Sequence, residues 1–138
     1  MGHFIFALWC ALLVVWDLRW RRLPNWLTLP GALFINLWAT LQDPLWVGGG
    51  LLWAGLYFLT AVLFGGIGGG DVKFAAGLGT AVFSLGAEAL VLAIVGSSLI
   101  SVLLGGILRV MKGRRGVVYI PHGPSMAIAS TCAYVIFM

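Results

Sequence analysis

The sequence predicts an all-α integral membrane protein: about six transmembrane helices in a compact bundle, forming one domain over residues 1–138. Three observations carry this. Of 138 residues, 62% are hydrophobic and 9% charged, where a soluble domain carries about 25% charged residues. Mean hydropathy is +1.07, and no polar linker or low-complexity run divides the chain. All eight Lys and Arg residues fall in three connections, which an alternating topology places on one side of a membrane.

The first apolar run predicts a helix over 3–17. A secretory signal would carry cations ahead of its apolar run; here the arginines follow it, so the segment is expected to stay as a span. Met1-Gly2 also lacks the downstream Ser or Thr that myristoylation favours. A second span is expected over 26–42, with Pro30 in its first turns and either Thr28 or Asn25 as its cap. Breaks at charged or Gly/Pro clusters set the others at 46–64, 71–85, 87–109 and 120–138. At about 1.5 Å per residue several fall short of a ~30 Å hydrocarbon core. The shorter helices should therefore be shielded by longer ones. Gly48–Gly50, Gly105 and Gly106 read as sites of close helix packing.

The charges set the orientation. Arg19, Arg21 and Arg22 follow span one, Lys73 follows span three, and Arg109, Lys112, Arg114 and Arg115 follow span five. By the positive-inside rule that side is cytoplasmic and both termini lie outside. The opposite connections hold Asp43 and Glu88, which read as solvated turn or cap residues. Trp16, Trp20 and Trp26 near one face, and Trp38 and Trp46 near the other, fit aromatic belts. A pI of about 9.6 does not imply nucleic acid, since basic membrane loops account for it. Cys10 and Cys132 sit in apolar segments and read as small hydrophobes, with no metal-ligating cluster around them.

Asp17 and Asp71 remain, both at cytoplasmic helix ends. Ionisable groups at membrane depth usually face a bundle interior or a wet cavity, so two at one depth can meet. Neighbouring carboxylates share a proton: one ionised, able to take a proton from water, the other able to donate to a carbonyl. The Gly65–Gly70 stretch, five glycines around Ile67, offers a loop beside which an extended substrate could lie. The plainer readings are a helix cap for Asp71, an interfacial ion-pair residue for Asp17 and helix packing for the glycines.

The segment Asp17-Leu18-Arg19-Trp20-Arg21-Arg22-Leu23-Pro24-Asn25, continuing Trp26-Leu27-Thr28-Leu29-Pro30, resembles the Asp-to-Pro-Asn segment of type IV prepilin peptidases. Gly68-Gly69-Gly70-Asp71-Val72-Lys73 resembles the G-x-G-D-x-K signature of the same membrane aspartyl proteases, and Ile120-Pro121-His122-Gly123-Pro124-Ser125-Met126-Ala127 their P-F-G-P-x-x-A segment. The resemblance covers about 17–130. It implies an endopeptidase that removes the leader of prepilin-like proteins at the cytoplasmic face, cutting just before their apolar helix. Asp17 and Asp71 match the catalytic pair. Gly68, Gly70, Lys73, Pro121, Gly123 and Pro124 match residues that shape the site or its substrate contacts. Lys73, two residues from Asp71, would point away from it and serve a headgroup contact or fix a loop.

Two departures stand out. His122 replaces a residue that is usually Phe, and reads as one interfacial ring for another. Only 16 residues precede Asp17, where larger relatives carry a cytoplasmic domain with cysteine pairs; the short, peptidase-only form is the expectation. No cofactor is expected, and the loops are too short for a separate domain to bind a methyl donor. The expected partners are a prepilin substrate and the lipid bilayer of a prokaryotic plasma membrane, with no nucleic acid. The rival functions are a proton- or ion-coupled transporter using Asp17 and Asp71 as a relay, and an inactive pilus-assembly scaffold.

Overall fold

The computed structural model describes residues 2–20, 24–65, 69–113 and 122–137. These form six helices: α1 (Gly2–Trp20), α2 (Asn25–Gln42), α3 (Leu45–Phe64), α4 (Gly69–Phe83), α5 (Ala87–Lys112) and α6 (His122–Phe137). Each follows one apolar run and stops where the sequence breaks it. Gly65 (φ 74°) and Gly113 (φ 68°) close α3 and α5 in the left-handed region, which glycine enters without a Cβ clash. The turn between α2 and α3 is pinned by Asp43, whose Oδ1 accepts the Leu45 N–H at 3.0 Å.

Several boundaries differ from expectation for local reasons. α1 runs on through Arg19 to Trp20, so Asp17 lies one turn inside its helix rather than closing it. α4 starts at Gly69, so Gly69 and Gly70 are helical and do not belong to a loop. Neither Thr28 nor Asn25 caps α2. Pro24 holds the cap position, and the Thr28 hydroxyl donates back to the Pro24 carbonyl at 2.8 Å, a bond short hydroxyl side chains favour.

The bundle is apolar outside as well as within, with a few small polar side chains enclosed. Thr28, Thr80, Ser97, Ser125 and Ser130 are buried, while Phe64 (83% exposed) and Val110 (84%) stand on the surface with many other large apolar side chains. An apolar exterior this extensive needs a lipid solvent. α3 and α5 are each long and apolar enough to cross a membrane. α4, the shortest helix, packs against α2, α3, α5 and α6 and buries Phe74, Ala75, Leu78 and Val82. Its burial suits a helix of about 22 Å, too short to meet lipid along a full span.

Small residues let the backbones touch. A Cβ on Gly50 would strike the Ala76 carbonyl and Thr80, and one on Gly79 would strike the Gly49 carbonyl. Gly48 and Gly106, expected as packing sites, instead face open space. Gly79→Ala should therefore destabilise the solubilised protein by about 1–3 kcal/mol, whereas Gly48→Ala should be neutral or slightly stabilising. Thermal melts of both variants check this. Hydrogen bonds complete the frame: Trp9 Nε1 donates to the Leu27 carbonyl at 2.9 Å, and Thr80 Oγ1 to Asn36 Oδ1 at 2.8 Å.

Candidate active site

Four helix ends meet at one end of the bundle: the C-terminus of α1 and the N-termini of α2, α4 and α6. Three side-chain contacts tie them. Trp16 of α1 packs edge-on against Trp26 of α2, with centroids 5.1 Å apart. Lys73 Nζ of α4 donates to Asn25 Oδ1 of α2 at 2.7 Å, and the Gly123 N–H of α6 donates to Asp17 Oδ2 of α1 at 3.1 Å. Asp71 stands in the first turn of α4 at this same end. α6 packs against both carboxylate-bearing helices, α1 and α4.

Asp17 is 2% exposed. A carboxylate so enclosed is costly without a donor. The donor here is one of the N–H groups that every helix start leaves unpaired, at the positive end of the α6 dipole. Residue 123 has to be glycine for this contact: a Cβ there would lie 2.5 Å from Asp17 Oδ2. Pro124 follows, buried in the first turn of α6, where a missing N–H costs nothing.

Asp71 is half-buried, and the start of α4 favours its anion. Tyr57 of α3 lies within electrostatic reach of it. The Lys73–Asn25 bond joins the start of α2 to the helix that carries Asp71. Gly70 lies in the first turn of α4, and Gly68 and Pro121 lie outside the described residues.

The rest of the molecule offers less. Glu88 is exposed at the opposite end of the bundle, in the first turn of α5. A groove of about 610 Å³ also opens toward that end, among Ile5, Phe6, Trp38 and Tyr134, away from both Asp17 and Asp71. Cys10 and Cys132 are free thiols. Gly123, matched in sequence to a site-shaping residue, acts through its backbone N–H, and Tyr57, which nothing in the sequence marks, is carried on α3, which packs on α4.

Two aspartates gathered at one end of a bundle with an apolar exterior define a membrane protein with its buried and half-buried carboxyl groups at one face. The profile of the type IV leader peptidase family matches residues 4–108, a span holding both aspartates, and the chain belongs to that family. The match ends before α6, so the Asp17–Gly123 bond joins a matched helix to one beyond the match. No curated protein and no solved structure matches the chain.

The Lys73–Asn25 bond gives a test that does not touch the carboxylates. Removing either partner should slow cleavage by no more than about tenfold, the scale of a half-exposed polar contact. The double variant should be no slower than the worse single, because both changes break one interaction. Initial rates of leader removal by Lys73→Ala, Asn25→Ala and the pair would show it.

Proposed function

We propose that this protein is an aspartic-type membrane endopeptidase that removes the leader of prepilin-like proteins at the cytoplasmic face of a prokaryotic plasma membrane. The observation that carries the reading is that Asp17 and Asp71, far apart in sequence, come to one end of a bundle whose family is that of leader peptidases. All six helices act as spans, with both termini outside. Arg19, Lys73, Arg109 and Lys112 stand at the aspartate end, which favours the cytoplasm for it.

The two carboxyl groups hold one proton between them. The ionised one takes a proton from water as the water oxygen bonds to the scissile carbonyl carbon. The protonated one gives its proton to the carbonyl oxygen, forming a neutral tetrahedral intermediate. Collapse of the intermediate breaks the C–N bond, with a proton delivered to the leaving amine and the hydroxyl proton returned to the pair. No covalent enzyme intermediate arises, and the carboxyl groups end with the single proton they began with. Gly123 supports this by holding Asp17 in one orientation.

Co-expression with a candidate prepilin tests the reading. Leader loss, seen as a gel shift that depends on the intact protein, is expected. An unshifted prepilin across the prepilins of the source genome would refute it.

A further inference from the structure

Tyr57 is buried on α3, a helix with few other polar side chains. Its hydroxyl lies 3.3 Å from Ser97 Oγ of α5, and Ser97 in turn bonds the Ile94 carbonyl at 2.9 Å. Trp53, one turn away, holds the phenol ring edge-on, with centroids 6.0 Å apart and planes at 82°. The side chain is thus fixed from two sides.

The contact of α3 with α4 sets the level of this hydroxyl. Gly50 sits between Ala76 and Thr80, which places it level with residue 78 on α4. The two helices are antiparallel, so seven residues on from Gly50 matches seven residues back from 78: Tyr57 stands level with Asp71.

We propose that Tyr57 is a positioning residue for Asp71: with Ser97 Oγ donating to the phenol oxygen rather than to the Ile94 carbonyl, the Tyr57 O–H donates to the Asp71 carboxylate and holds it in the orientation used for proton transfer. This rests on the peptidase reading above. It adds a third helix to the site, so that α3 steadies Asp71 as α6 steadies Asp17.

Tyr57→Phe removes only the hydroxyl. Single-turnover cleavage of a leader-bearing prepilin by purified wild type, Tyr57→Phe and Ser97→Ala separates the possibilities. Tyr57→Phe should lower kcat by about 10- to 100-fold, the value of one hydrogen bond to a charged group, with KM nearly unchanged. Ser97→Ala should show a smaller loss in the same parameter. A hydroxyl that merely stitches α3 to α5 would instead lower the melting temperature and leave the rate per folded enzyme intact. That result, or a loss confined to KM, would overturn the proposal. If Tyr57→Phe does not insert, an unchanged kcat in Ser97→Ala overturns it. An active wild type with an unaffected Tyr57→Phe sinks this proposal alone, whereas an inactive wild type removes the peptidase reading with it.

Discussion

Asparagine at position 17 or at position 71 should leave a protein that inserts normally and cleaves almost nothing. Asn keeps the size and shape of Asp while removing the ionisable group, so packing around the buried Asp17 survives. One positioned acid or base contributes ~10²–10⁴ in rate. In the proposed mechanism the two carboxyl groups share one proton, so the double variant should be no slower than the slower single. Single-turnover rates of the three variants check this; a single Asn variant at near wild-type rate would mean that its aspartate is not in the reaction. The transporter reading makes no such demand on peptide cleavage.

Gly123→Ala should be nearly as damaging, although it adds one methyl group far along the chain from either aspartate. Its Cβ would lie 2.5 Å from Asp17 Oδ2, well inside van der Waals contact, so the carboxylate has to move and the 3.1 Å bond from the Gly123 N–H is lost. A misplacement of about 1 Å at a reacting group costs on the order of 10²-fold. The helix itself is not the cause of this loss, since Ala is the better helix former by ~1 kcal/mol. Measured kcat should therefore fall, and the melting temperature with it, because the enclosed Asp17 carboxylate loses its donor. A wild-type rate in Gly123→Ala would show that the orientation of Asp17 is not held by α6.

Helix positions were legible because each apolar run ends at residues with a definite reason to end it. The ends themselves shifted by up to about three residues. Arg19 and Trp20 can continue a helix as readily as leave one, and Gly69 and Gly70, though permissive, become helical once α4 is packed on four sides. The gathering of Asp17 and Asp71 at one end followed from alternating helices and was legible. What holds them was not. Gly123 serves through a backbone N–H, and its need to be glycine comes from a carboxylate 106 positions away. Lys73 reads from sequence as making a headgroup contact or fixing a loop, and nothing in the pattern singles out Asn25 as its partner. The glycine runs illustrate the same limit: Gly49 and Gly50 pack against α4 while Gly48, their neighbour, faces open space. Composition alone does not tell which face of a helix each residue occupies.

The central claim is that Asp17 and Asp71 together hydrolyse a prepilin leader, and intact-mass analysis of one prepilin incubated with the purified protein tests it most directly. Wild type should yield two fragments whose masses sum to the substrate plus one water, and the Asp17→Asn/Asp71→Asn double variant should return the substrate whole. Equal fragmentation by wild type and double variant, or an intact prepilin with both, would contradict the account.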